Sequence, residues 1–272
     1  MKTRLKNLYS ARSSMVEQLP LKQQVVGSTP TGRTMKAIIA AAGKGTRMLH
    51  LSKDKPKHLI EVLGKPFLYY VLKNLQTAGI EEIIIVAGYQ IAEMEKFKKQ
   101  YENELNIRII DQFQLFGEEK YGTSVPIEAV ETEIGNEEFI AIYGDNLYSP
   151  KDIKKFLNTD GFHYIGVIHN AHPEKYGVAV IGENNYLEKI VEKPKEFIGN
   201  FINTGIYKFT PEIFDEVKKV RTSPRGEYEL TDAIQALAEQ NRVKVLKLED
   251  YWLDFGKPED IQKVEKFLKS AT

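Results

Sequence analysis

Ala37-Ile38-Ile39-Ala40-Ala41-Ala42-Gly43-Lys44-Gly45-Thr46-Arg47 carries an apolar run straight into a small-residue turn with two glycines and a fixed cation. The run reads as a buried strand. The turn has the build of a triphosphate-binding loop, because glycines let backbone N–H groups approach phosphate oxygens. Arg47, and Lys57 on the Pro56-stiffened segment that follows, bring neutralising charge.

Outward from this stretch, strands and helices alternate, which argues for a mainly parallel sheet with crossover helices. The spacing of Leu68, Val71, Leu72, Leu75 and Ala78 predicts a helix over Pro66–Ala78, ended by Gly79. Apolar strands are predicted over Lys36–Ala41, Glu82–Ala87, Ile107–Ile110 and Phe139–Tyr143. Helices are predicted over Ile91–Glu104 and Ser124–Thr132, and one opens at Ser149-Pro150 with Ser as N-cap. The second half holds more strand: Tyr164–Ile168, Val178–Ile181, Tyr186–Val191, Gly205–Phe209 and Val243–Leu248. Helices are expected after Thr210-Pro211, over Leu230–Glu239 and over Pro258–Lys269.

Composition bounds the function. The chain has 272 residues, 42% hydrophobic and 28% charged, the balance of a globular protein. Formal net charge is zero, which argues against a nucleic-acid partner. There is no cysteine, so neither a disulfide framework nor a thiolate metal site is expected, and a cytoplasmic location fits. No apolar run approaches the roughly 20 residues of a membrane span. Residues 1–34 are rich in Ser, Thr, Gln, Lys and Arg without an apolar period, and Met35 starts the patterned region. They read as a mis-assigned start or a disordered arm. Gly27 to Thr34 matches P-loop spacing with Arg33 for Lys, but a strand follows it where one should precede it, so it reads as chance.

Beyond the loop, five places carry candidate chemistry. Asp145 follows an apolar strand, where ligands of open α/β sheets bind; it reads as a metal carboxylate or as the cap of the next turn. Asp254 sits among Trp252, Leu253 and Phe255, either with a partner or as N-cap of the last helix. Glu192-Lys193-Pro194 ends a strand, and reads as a sugar-and-phosphate contact or a surface charge pair. Tyr176-Gly177-Val178 and Asn203-Thr204-Gly205 are polar steps suited to hydroxyl-rich ligands, or ordinary turns. The five histidines show no metal spacing, and Trp252 reads as core.

Taken in order, AAGKGTRM (41–48), KPKHLIEVLGKPFLYYVL (55–72), GTS (122–124), YGDN (143–146), YGV (176–178), VEKP (191–194), NTGIYKF (203–209), ELTDAI (229–234) and WLDFGKPED (252–260) resemble the sugar-1-phosphate nucleotidylyltransferases. The resemblance is closest to the glucose-1-phosphate thymidylyl- and uridylyltransferases. It implies a Rossmann-like α/β fold with a mixed, mostly parallel central sheet flanked by helices. The nucleotide half would span about 35–146 and the sugar-phosphate half about 147–272. The implied reaction joins an NTP and a sugar-1-phosphate into NDP-sugar and pyrophosphate. By motif, Ala41, Ala42, Gly43, Gly45 and Thr46 would line the nucleotide, and Gln112 and Gly122 would face the base. Arg47, Lys57 and Lys193 would act on the phosphates; Gly177, Glu192 and Asn203 would bind the sugar; Asp145 and Asp254 would hold Mg²⁺.

Two departures stand out. Leu49-His50-Leu51-Ser52 replaces the family's Leu-x-Pro-Leu, and Glu61 stands where Pro is common; both are expected to alter a loop, not the chemistry. The chain ends soon after WLDFGKPED, so the hexapeptide-repeat helix of bifunctional acetyltransferase members, and its second activity, are not expected. The resemblance is compatible with a homo-oligomer. Two other readings stay open: a cytidylyltransferase for an alcohol or choline phosphate, and a non-catalytic nucleotide-binding regulatory subunit. A dehydrogenase is disfavoured, because Met48 stands where the dinucleotide fingerprint wants a small residue.

Overall fold

The strand Lys36–Ala40 lies between two parallel neighbours, Ile83–Ala87 and Phe139–Tyr143, in a computed structural model that describes residues 35–271. The readings of residues 1–34 lie outside the described residues. Ala37 and Ile39 pack into one apolar cluster and Ile38 into the other, so the strand is buried on both faces. Both faces being covered explains why the run is apolar at nearly every position.

The sheet has nine strands among the described residues. Its first half is parallel: Ile107–Asp111, Ile83–Ala87, Lys36–Ala40 and Phe139–Tyr143 lie side by side. The second half turns antiparallel around Phe201–Phe209, which pairs with Phe139–Tyr143, His163–His169 and Gly177–Ile181. Gly177–Ile181 and Leu187–Glu192 form an antiparallel pair at the end of the path, and Val243–Lys247 runs parallel to His163–His169. The chain leaves Lys36–Ala40 toward one side of the sheet first and reaches Phe139–Tyr143 on the other side later. That reversal opens a crevice at the C-terminal ends of these strands.

Most elements fall where their spacing puts them. The helix Phe67–Ala78 buries Leu68, Val71, Leu72, Leu75 and Ala78, and Gly79 ends it. Ser149 caps the Pro150–Lys154 helix, its hydroxyl accepting from the Lys151 N–H at 3.1 Å. Several places differ. The helix expected over Ser124–Thr132 is two short ones, Val125–Glu128 and Glu131–Ile134, separated where Val130 leaves helical geometry. The break still buries Ile127, Val130 and Ile134 together, so burial overrides helix continuity. Gln112–Phe116 forms a helix capped by the Asp111 carboxylate, which accepts from the Phe113 and Gln114 N–H groups. Asn146–Tyr148 and Trp252–Asp254 form an antiparallel ribbon. Trp252, expected in the core, is only partly buried and meets Tyr176 edge-on at 6.2 Å.

The ribbon is held from beneath by Phe255, which is fully buried and stacks on Phe67 with ring centroids 4.1 Å apart. Phe255→Ala should therefore cost about 3–5 kcal/mol of stability, the range for a large buried aromatic. Urea denaturation checks it; a loss under about 1 kcal/mol would mean that the stack does not anchor the ribbon.

Candidate active site

Beyond the ends of Lys36–Ala40 and Phe139–Tyr143 lies a cavity of about 460 Å³. Ten of the sequence-predicted residues line it. Ala42, Gly43, Thr46, Arg47 and Lys57 come from the first loop. Gln112, Gly122 and Asp145 follow, and Glu192 and Lys193 close it from the sheet's other half. Ala41, Gly45, Gly177, Asn203 and Asp254 do not line it.

The loop is shaped by Gly45. Its φ of 63° is left-handed, and a Cβ there would sit 3.1 Å from the Cβ of Lys57. Only a glycine lets the Lys57 stem lie against the turn. Ser52 donates to the Gly45 carbonyl at 2.8 Å and ties the loop's far end back to its start. Between them the departing segment Thr46–Ser52 is two 3-10 turns broken at Leu49, whose φ is 55°.

Lys57 reaches across the cavity floor to an ion pair with Asp145. The other Asp145 oxygen accepts from the Asn146 side-chain amide at 3.2 Å. Burial alone would raise the Asp145 carboxyl, but the charges of Lys57 and Arg47 outweigh it and hold the group below its ordinary range. His58, which sequence reasoning did not single out, is buried at this wall with Nδ1 unpartnered. Burial first, then the adjacent Lys57 charge, lowers its pKa to about 3 and keeps it neutral.

Asp254 is brought beside Asp145 by the ribbon, in which it pairs with Asn146. It does not cap the last helix: Asp260 does that, accepting from the Gly256 and Lys257 N–H groups at 3.0 and 2.9 Å. Burial, then the charges of Asp145 and Asp260, raise Asp254 to about 6. Two carboxylates this close leave negative charge that a cation would offset. Hard oxygen donors of this kind suit Mg²⁺, so the residues fit the metal. No group of three acidic or histidine side chains gathers as a metal cage among the described residues, so phosphate oxygens and water would complete the coordination.

The opposite wall carries Glu192 and Lys193. Lys193 has a left-handed φ of 44°, and its N–H bonds the Tyr176 carbonyl at 3.0 Å. After this sharp turn before Pro194 the ammonium lies 3.8 Å from the Glu192 carboxylate. Gly177 pairs with Glu192 in the sheet. The Glu192 carboxyl is raised by burial against the pull of Lys193 and Arg225. Arg225, also missed in the sequence, lines the cavity with its guanidinium 2.6 Å from Glu229 and 3.6 Å from Glu192. Its position in a loop far along the chain gave no spacing signal. Gln112 is buried on the nucleotide side with its amide oxygen unpartnered. Asn203 spends its amide inside the protein, accepting from the Gly205 N–H and donating to Tyr207.

The loop that carries Arg47 and Lys57 shares one cavity with Asp145 and, on the opposite wall, Lys193. The family profile described as Nucleotidyl transferase matches residues 36–271. The chain belongs to the nucleotidyl transferase family. A bifunctional sugar-1-phosphate nucleotidylyltransferase/acetyltransferase of Sulfurisphaera tokodaii is 37% identical over 235 residues, 86% of this chain and 55% of that protein. The UTP–glucose-1-phosphate uridylyltransferase AglF of Haloferax volcanii is 33% identical over 244 residues, 88% of this chain and 98% of its own length. A Bacillus anthracis structure assigned as a glucose-1-phosphate thymidylyltransferase, in complex with sucrose, superposes with a TM-score of 0.75 at 27% identity, over 86% of this chain and 95% of that one. This nucleotidyl transferase spans about half the length of the bifunctional relatives it matches.

The Asp254 shift has a stability consequence in this nucleotidyl transferase. A carboxyl raised on folding stabilises the fold while protonated, below its unfolded pKa, and that contribution is lost as pH rises through the folded value near 6. Metal-free protein should thus weaken between about pH 4 and pH 7 from this group. Asp254→Asn should remove the effect and raise stability at pH 8 by up to about 3 kcal/mol. Thermal unfolding in chelator at both pH values checks it; equal pH profiles for both proteins would refute it.

Proposed function

We propose that the protein is a Mg²⁺-dependent sugar-1-phosphate nucleotidylyltransferase that joins dTTP or UTP to glucose-1-phosphate, releasing pyrophosphate. One observation carries the reading: Arg47, Lys57 and Asp145 share a single cavity with Glu192 and Lys193. That is one anion site for a triphosphate and a second for a phosphorylated, hydroxyl-bearing partner.

The chemistry follows from charge. A sugar phosphate is already ionised near neutral pH, so it attacks the α-phosphorus without a general base. What opposes it is repulsion between two anions. Arg47 steadies the β- and γ-phosphates as they leave, and Lys193 holds the incoming phosphate in line. Lys57 exchanges its Asp145 partner for phosphate oxygen when nucleotide arrives. A bound divalent metal at Asp145 and Asp254 would add screening of the triphosphate charge. Glu192 accepts from sugar hydroxyls. The unpartnered Gln112 amide suits the imide edge of uracil or thymine, which offers a donor between two acceptors. The Haloferax relative, matched along nearly its whole length, supports UTP and glucose-1-phosphate as the pair.

A pyrophosphate-release assay over a matrix of NTPs against sugar-1-phosphates and choline phosphate, with and without Mg²⁺, tests the proposal. Turnover is expected with dTTP or UTP and glucose-1-phosphate, and loss in chelator. Turnover only with CTP and choline phosphate would favour the cytidylyltransferase; none with any pair would favour a regulatory subunit. Arg47→Ala and Asp145→Ala should each lower kcat about 10²–10³-fold, as removal of one preorganised electrostatic contact does, with unfolding temperatures showing folded protein. Near-normal turnover in either variant would refute the assignment.

A further inference from the structure

Tyr121 lines the cavity, yet its side chain stays 40% exposed. Its backbone is pinned. The Tyr228 N–H donates to the Tyr121 carbonyl at 3.0 Å, and the Ser124 N–H donates to the Tyr228 carbonyl at 3.0 Å. Gly122 lies between these bonds. A Cβ there would sit 2.3 Å from the Tyr228 backbone, so only glycine lets the two segments touch. Thr123 then accepts from the Leu230 N–H at 2.8 Å. Residues 121–124 are thus fixed against 228–230.

The side chain reaches the other way. Its hydroxyl lies 3.6 Å from where a Cβ on Gly43 would be, so the ring crosses to the glycine-bearing turn. Lys44 and Glu118 join the same two loops at the surface, 3.1 Å apart, but both side chains are half or more exposed and such a pair contributes little. The anchoring of the ring therefore rests on the backbone contacts of residues 121–124. Nothing inside the protein uses the ring. Among the described residues it stacks on no other ring, and its hydroxyl has no hydrogen-bond partner.

Under the proposed reaction Arg47 meets the triphosphate and Gln112 meets the hydrogen-bonding edge of the base. A pyrimidine also has two flat faces, which an amide at its edge leaves uncovered. The Tyr121 ring runs from Gly122, on the base side, to Gly43, on the triphosphate side, and both glycines line the same cavity. We propose that Tyr121 is a further nucleotide-binding residue, its ring stacking on one face of the bound pyrimidine while Gln112 reads the edge. This deepens the nucleotidylyltransferase reading and rests on it. The two contacts divide the task. Every base has a π-face, so a stack adds affinity without choosing the base. The choice is left to the edge, where donors and acceptors differ between bases.

The test uses the full chain, Tyr121→Ala and Tyr121→Phe, and pyrophosphate release with UTP and dTTP. Tyr121→Ala should raise the KM of both nucleotides about 10-fold, the worth of one base stack. Its kcat at saturating nucleotide, its sugar-phosphate KM and its UTP-to-dTTP preference should stay within about twofold of wild type, which also shows folded protein. Tyr121→Phe keeps the ring and should match the wild type within about twofold. Inorganic tripolyphosphate, a competitor without a base, should inhibit the wild type and Tyr121→Ala equally. An unchanged nucleotide KM in Tyr121→Ala, an equal weakening of tripolyphosphate, or a loss in Tyr121→Phe as large as in Tyr121→Ala overturns the inference while leaving the reaction intact. Absence of turnover in the wild type with any sugar phosphate instead overturns the reading on which it rests.

Discussion

The strand Lys36–Ala40 has no face and no edge of its own to spare. Its residues are covered on both faces of the sheet and hydrogen-bonded on both edges. The one direction left open is its C-terminal end. The chain must therefore turn there, and the turn faces solvent at the point where strand order reverses. Gly144 donates back to the Ala40 carbonyl at 3.0 Å and Ala41 to the Val86 carbonyl at 2.8 Å, so the neighbouring strand ends are held level. The glycine-bearing loop and Asp145 thus emerge side by side from rigid supports, as a site needs.

Charge is distributed across the crevice in a matching way. On the first wall Lys57 and Arg47 hold Asp145 ionised, while burial, and then the charges of Asp145 and Asp260, raise Asp254. On the second, Lys193 and Arg225 face Glu192 among Glu227 and Glu229. Each wall pairs cations with carboxylates before any ligand is present. Under the proposed reaction, binding two phosphorylated molecules would exchange internal ion partners for phosphate oxygens. This keeps the ligand-free site stable without removing its ability to receive anions.

Much of this was legible in the residues. The apolar runs marked the strands because strands covered on both faces must be apolar throughout. Gly79 and Ser149 marked helix ends because caps have local chemistry. The ordered motifs pointed to Arg47, Lys57, Asp145, Glu192 and Lys193, which the fold gathers into one cavity. What escaped were features with weak local signal. The Asn146–Tyr148 and Trp252–Asp254 strands are three residues each, too short for a period to show. The break at Val130 depends on which neighbours Val130 and Ile134 meet. His58 and Arg225 reached the cavity through contacts with residues distant in sequence.

The chain alone determined most of its strands and helices, its glycine-bearing turn and its family, because propensity, capping and motif order are properties of neighbours along the sequence. Only the tertiary structure decided that Asp254 stands beside Asp145 and leaves the helix cap to Asp260. It alone oriented the Asn203 amide, which accepts from the Gly205 N–H and donates to the Tyr207 hydroxyl. Burial, shared charge and hydrogen-bond direction are set by groups far apart in the chain, and the stretch of Ala and Gly at the loop gains its cavity only when those groups close around it.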